Sequence, residues 1–338
     1  MSRSLNRLVR GFLACLLLTL CHVPVFADLS GLVFDESDGS LMMASIDPAT
    51  GAVSPGAAAL SNCCQLVTGL TAIDQAGERL FAIGLQSGDQ TPLLLTFALD
   101  GSAASSIELD QLPQALLAYD SGAGRLISVI LGAPPSASSQ WISIEPTTGA
   151  VTQIGSPDAS CCEILTGLAA VASGPQQLYL LGRDFGEPDW QLLGIDLATG
   201  ASSALAELPA GHPGFLSLDA DSGQVDLLIQ TAPQASSGLY RVNPVDGTFA
   251  LQATQIDADC CLMMPGQAAN LDDSGQFWWL GGSGSGLTPS SGFFAIRATL
   301  DGASLNRRQL SSGYRLNALV LDGEIVFVDQ VFQDRFEL

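Results

Sequence analysis

Apolar residues along this chain fall in short, nearly unbroken runs: RLFAIGL (79–85), RLISVIL (125–131), QLYLLG (177–182), QVDLLIQ (224–230) and QFWWLGG (276–282). Stretches rich in Asp, Gly, Ser and Pro separate them. Runs of this length and continuity read as strands buried on both faces. No long helical periodicity appears after residue 27, so the pattern predicts an all-β fold.

The runs belong to a repeat. VTGLTAIDQAGERLFAIG (67–84) aligns with LTGLAAVASGPQQLYLLG (165–182). A shorter unit recurs as SIDPATGAV (45–53), SIEPTTGAV (143–151), GIDLATGAS (194–202) and RVNPVDGTF (241–249), with abbreviated forms ALDG (98–101) and TLDG (299–302). Proline presets one turn position, an Asp or Asn side chain bonds the local backbone, and glycine accepts positive φ. This is hairpin chemistry between a third and a fourth strand. A spacing near 50 residues suits four-stranded propeller blades. Innermost strands are expected at 66–73, 112–119, 164–171, 212–219, 265–271 and 314–321. The sequence thus predicts a six-bladed β-propeller whose N- and C-terminal strands share the closing blade. Segments 29–35 and 323–329 compete for one place in that blade.

The hairpins and the repeated strand units resemble those of secreted bacterial β-propellers over nearly all of the chain after residue 27. The resemblance implies architecture and no activity, because propellers include scaffolds, ligand binders and hydrolases.

The first 27 residues read as a secretory signal: Arg3, Arg7 and Arg10, then the apolar GFLACLLLTLC, then Val25 and Ala27 before a cut ahead of Asp28. That apolar run is shorter than the roughly 20 residues a membrane span needs. The expected mature chain, residues 28–338, is one domain, exported to the periplasm or beyond and without a membrane span. It keeps nine of the 12 basic residues against all 34 acids, a formal charge of −25, and the chain has no lysine. Such a surface repels nucleic acid and favours solubility or a cationic partner.

Six cysteines remain in the mature chain, all in vicinal doublets: Cys63-Cys64, Cys161-Cys162 and Cys260-Cys261. They are spaced by 98 and 99 residues, about two blades, and each is followed by four residues and a glycine (CC-x-x-x-x-G). Blades therefore alternate, and six of them form a pseudo-threefold ring. Each doublet falls between an outer strand and the next inner strand, so all three are expected around one mouth of the central channel. Second-neighbour blades are expected to stand several strand spacings of about 4.8 Å apart. A disulfide needs Cα atoms within about 7 Å, so the expected bridges are Cys63–Cys64, Cys161–Cys162 and Cys260–Cys261. Rings this small remove little chain entropy, which argues against a role in global stability.

Three readings of the doublets follow. In the first they are rigid apolar turns inherited by duplication of a two-blade unit. In the second, Cys63, Cys64, Cys161, Cys162, Cys260 and Cys261 join Leu66, Ile164, Met263 and Met264 in an apolar rim. That rim would bind a small apolar ligand or a protein partner. In the third, reduced Cys260 and Cys261 with Met263 and Met264 hold a soft metal such as Cu(I), or the thiols do redox chemistry.

Catalytic signals are sparse. The one histidine after residue 27, His212, has no G-x-S-x-G elbow to accompany it, and a multi-histidine zinc site is excluded. GGSGSG (281–286) has no following lysine, so it is no phosphate loop. Trp278 and Trp279 read as filling between blades, and Asn270 as a polar residue within an inner strand. Asp74, Asp120, Asp219 and Asp272 stand at or just beyond inner-strand ends, where their expected task is to bond the adjoining turn on the end opposite the cysteines. No cofactor is expected and no residue is assigned to catalysis. A carboxylate-bound metal, calcium included, in a lactonase-like hydrolase stays open as the alternative.

Overall fold

A computed structural model describes residues 28–47, 49–61, 63–132, 138–158, 163–183, 189–219, 222–230, 237–256, 262–263, 269–271, 276–282, 293–299, 305–309 and 314–322. The described strands pair antiparallel into six sheets. The first holds β1 (Asp28–Asp35), β2 (Ser40–Ile46) and β3 (Val53–Leu60). The second holds β4 (Cys64–Asp74), β5 (Arg79–Gln86), β6 (Pro92–Ala98) and β7 (Ala104–Glu108). The third holds β8 (Gln114–Asp120), β9 (Arg125–Leu131), β10 (Ser139–Ile144) and β11 (Val151–Asp158). The fourth holds β12 (Glu163–Ala172), β13 (Gln177–Arg183), β14 (Gln191–Asp196) and β15 (Ser202–Glu207). The fifth holds β16 (His212–Leu218), β17 (Val225–Gln230), β18 (Ser237–Asn243) and β19 (Thr248–Ile256). In the sixth, β20 (Leu262–Met263) and β21 (Ala269–Leu271) both pair with β22 (Gln276–Gly282), followed by β23 (Phe293–Thr299) and β24 (Leu305–Gln309). Finally β25 (Tyr314–Asp322) returns to pair with β1, so strands from both ends of the chain lie in the first sheet.

The continuous apolar runs are explained by burial on both sides. Alternate side chains of a strand point to opposite faces. In β5, Leu80 and Ala82 pack toward the first sheet with Leu32, Leu41 and Met43, while Phe81 and Ile83 pack toward the third with Leu117, Leu126 and Ile142. In β13, Leu178 and Leu180 meet Trp141 and Val129 of the third sheet, and Tyr179 and Leu181 meet Leu227 and Ile229 of the fifth. Each fully buried aliphatic side chain contributes about 1.5–3 kcal/mol. The core is therefore a succession of apolar layers between neighbouring sheets.

The third-to-fourth-strand hairpins form as the repeat predicts. Gly149 (φ 73°) donates its N–H to the Glu145 carbonyl at 2.9 Å, and Thr147 N–H and Oγ1 donate to the Glu145 carboxylate. A Cβ at Gly149 would stand 2.9 Å from the carbonyl oxygen of Glu108, in the outer strand of the preceding sheet. The turn therefore needs glycine twice, for its φ and for docking on its neighbour. Three of the four predicted aspartates close the turn after an inner strand. Asp74 accepts from Gly77 N–H (3.0 Å), Asp120 from Gly122 N–H (3.2 Å) and Asp219 from Ser222 N–H (3.1 Å). Asp272 lies outside the described residues.

Candidate binding face

Cys63 precedes β4 and Cys64 opens it, while Asp74 closes the same strand at its other end. The doublet thus sits on the end of the molecule opposite the Asp–Gly turns. Cys63 and Cys64 form a vicinal disulfide with Cα atoms 3.7 Å apart. Cys63 is half-buried, and its carbonyl accepts Ser87 N–H at 3.3 Å, tying the pair to the loop between β5 and β6. Cys64 is 8% exposed and packs in the apolar layer between the first and second sheets. Glycine makes room for it: a Cβ at Gly84 would stand 3.1 Å from Cys64 Cβ and Sγ.

Two of the residues expected in the apolar rim are buried. Cys64 and Ile164 are both 8% exposed and belong to the layers between sheets. Leu66 is partly buried against the same layer as Cys64. The reason is strand alternation: inner-strand side chains point to the flanking sheets and leave the backbone edge toward the axis. Exposed side chains at this end come from neighbouring positions, Gln65, Glu163 and Thr166. Cys161, Cys162, Cys260, Cys261 and Met264 lie outside the described residues. Met263 lies in β20.

Register places the three lead-ins equivalently. Leu66 pairs with Gly84, Ile164 with Gly182 and Met263 with Gly281, each two residues after the second cysteine of its doublet. Beyond these pairs β4 and β12 bulge: β4 advances five residues from Leu66 to Thr71 while β5 advances two, and β12 five from Ile164 to Ala169 while β13 advances two. In the sixth sheet the inner segment advances six from Met263 to Ala269 while β22 advances three. The excess is three residues every time. In the third and fifth sheets it is two and one.

The bulges carry the glycine of the CC-x-x-x-x-G pattern. Gly69 and Gly167 both have φ of 80°, and a Cβ on Gly69 would lie 2.9 Å from Thr166 Cγ2 and 3.4 Å from Gly167 Cα. Inner strands of the second and fourth sheets therefore touch each other past the intervening β8. Second-neighbour sheets therefore meet at these bulges, closer than the several strand spacings expected. The conserved spacing within the chain was visible in sequence, but nothing in residue type announced the bulge.

Charge around this end is held in local bonds. Arg183 pairs with Glu163 at 2.9 Å and stacks over Trp190 at 4.5 Å. Hydrogen bonds from the Ser37 hydroxyl and backbone lower the Asp35 carboxyl, and those from Thr91 lower Asp89, so both stay ionised into acid. At this same end His212 begins β16 opposite Gln230 and Gly281 and Gly282 end β22, while Asn270 lies in β21 and Trp278 and Trp279 lie in β22. Residues 283–286 lie outside the described residues. Among the described residues no group of three or more His, Cys, Asp or Glu could hold a metal ion, and no helix is long and apolar enough to cross a membrane.

No protein-family model matches the sequence, and no curated protein sequence is significantly similar to it. Solved structures are similar in fold. A chain of a nidogen/laminin complex aligns with a TM-score of 0.57 at 12% identity, over 87% of this chain and 98% of that one. TolB from Acinetobacter baumannii aligns with a TM-score of 0.57 at 10% identity, over 88% of this chain and 66% of that one. A putative 6-phosphogluconolactonase from Bacteroides uniformis aligns with a TM-score of 0.51 at 11% identity, over 87% and 98%. With the antiparallel sheets and their layered cores, these similarities define the class: the chain has a β-propeller architecture.

Proposed function

We propose that residues 28–338 form an exported, closed six-bladed propeller that does no chemistry of its own and binds a protein partner or small apolar ligand over its cysteine-bearing end. The observation that carries this reading is the contact of Gly69 with Thr166 and Gly167. The bulges of β4 and β12 meet each other there, which takes room from a channel site and favours the end surface as the place to bind. Similarity in fold to a chain of the nidogen/laminin complex, a protein–protein assembly, agrees with it. The buried half of the Cys63–Cys64 disulfide fixes its lead-in, and Cys63, Gln65 and Thr166 reach the surface at this end.

The test is affinity capture on the immobilised mature chain from the exported fraction of its source, beside a chain with Ser at all six doublet positions. Binding weakened at least about tenfold, with a cooperative melt retained, is expected. Unchanged binding refutes the role of this end. Metal analysis addresses the alternative: stoichiometric calcium or a transition metal in the purified protein would favour a hydrolase with a carboxylate-bound metal. Free thiols detected by alkylation without reductant would favour the soft-metal or redox reading.

A further inference from the structure

Cys63 and Cys64 are neighbours in sequence, so their disulfide closes no chain loop and acts only on the backbone between them. That backbone opens a short, separable unit. Cys64, Gln65 and Leu66 pair with Gln86, Leu85 and Gly84, and pairing resumes only at Thr71 opposite Ala82. A bulge thus divides a three-pair lead-in from the body of β4. The body is held by packing on both sides, with Leu70 and Ala72 buried toward the third sheet and Ile73 packed toward the first. The lead-in has its three pairs, the bond from Ser87 N–H to the Cys63 carbonyl and the packing of Cys64 and Leu66. A strand end bounded by a loop and a bulge can open while the rest of its sheet stays folded. The two cysteines also differ in access: Cys63 is half-buried, whereas Cys64 is 8% exposed and lies against Gly84.

We propose that the Cys63–Cys64 disulfide is a reducible latch on the lead-in of β4, opened by an external dithiol while the propeller stays folded. It regulates the cysteine-bearing end, and so rests on the reading that this end binds. A thiolate of the dithiol attacks Cys63 Sγ, the Sγ–Sγ bond breaks, and its electron pair leaves on Cys64 Sγ. That sulfur takes up a proton, because an apolar layer disfavours the thiolate. The second thiol of the reagent attacks the mixed disulfide, closes as the reagent's own disulfide and frees Cys63 as a thiol. Two electrons and two protons pass to the protein, and the dithiol is oxidised. Opening the ring restores rotation about the backbone and side-chain bonds that the closed ring holds. That freedom falls on a lead-in of three pairs, next to the bulge whose Gly69 meets Thr166 and Gly167 of β12. No long loop is released, so the loss of order stays local.

The test treats folded residues 28–338 with millimolar dithiothreitol, followed by alkylation, peptide mapping and amide exchange. Cys63 and Cys64 are expected to become alkylated before the chain unfolds, Cys63 first. Exchange within 64–69 is expected to speed at least about tenfold, with no change from Leu80 to Ile83. Cys63→Ser with Cys64→Ser leaves the other doublets intact. This double variant should show the same fast exchange without reductant and melt cooperatively within about 3 °C of the parent. It should also weaken capture from the exported fraction. A disulfide reduced only on unfolding overturns the latch, as does unchanged exchange within 64–69. Loss of the cooperative melt in the double variant overturns it too, because the disulfide is then a staple of the fold. Capture weakened in the chain with Ser at all six doublet positions, but not in the double variant, overturns the latch and leaves the binding reading standing.

Discussion

Asp74 is 4% exposed yet carries a charge, and its surroundings explain how. Burial alone would raise its carboxyl pKa. Hydrogen bonds from Arg79 (2.5 Å to Nη2), Gly77 N–H and the Tyr119 hydroxyl outweigh that, and the net shift is downward. In the unfolded chain an aspartate titrates near 3.9. The unfolded state therefore binds the proton more readily. Asp74 contributes stability that is full above about pH 4 and is lost as pH falls through its lower folded value. Urea midpoints measured from about pH 2 to 5 should rise with pH, and more steeply in the native chain than in Asp74→Asn. At neutral pH that substitution should cost about 1.5–3 kcal/mol, the range for hydrogen bonds to a charged group. Equal slopes would show that the charge contributes nothing. The turn role of Asp74 was legible in sequence, because Asp and Gly recur two to four residues apart after inner strands. Tyr119 was not, since it comes from the next inner strand and only packing brings it near.

At the level of elements, the inner strands were predicted to within a few residues of their ends, because continuous apolar runs and Asp–Gly turns fix where a buried strand stops. The three-residue bulges were missed. A bulge leaves both flanking segments in strand geometry, and its only trace in the sequence was a glycine five residues after each doublet. Gly69 gives this a direct test. Alanine there must adopt φ near 80°, and its Cβ would press on Thr166 Cγ2 at 2.9 Å. Gly69→Ala should destabilise by about 1–3 kcal/mol, the cost of a left-handed non-glycine residue. Part of that cost is the contact with Thr166, so Gly69→Ala with Thr166→Ala should recover several tenths of a kcal/mol or more by denaturant titration. Strict additivity would mean that the second and fourth sheets do not press on each other there. The cysteine doublets acquire a meaning at this scale as well. Cys64 fills the layer between two sheets at the point where the strand must leave regular pairing, so the disulfide anchors the base of the bulge.

For the molecule as a whole, the pairing of β25 with β1 joins the two ends of the chain. The sequence left two segments competing for the place beside the last inner strand, 29–35 and 323–329. The structure gives it to Asp28–Asp35, through a ladder running from Asp28 opposite Asp322 to Asp35 opposite Tyr314. Leu29, Leu32 and Val33 are fully buried in that sheet, as the strand next to the innermost should be. Apolar content could not decide between the segments, because IVFV (325–328) is as strand-like as GLVF (31–34). Truncation separates them. A chain ending at Asp322 keeps the β1–β25 ladder and should melt cooperatively within about 3 °C of the longer chain, a change worth roughly 1 kcal/mol at this size. A chain ending at Gln309 loses β25, exposes the edge of β1 and uncovers the apolar layer around Leu32. It should lose its cooperative transition and expose β1 to proteolysis. If the shorter truncation already abolishes cooperativity, residues 323–338 hold the ends together and β1 does not. The first sheet would then be held by a segment other than β1.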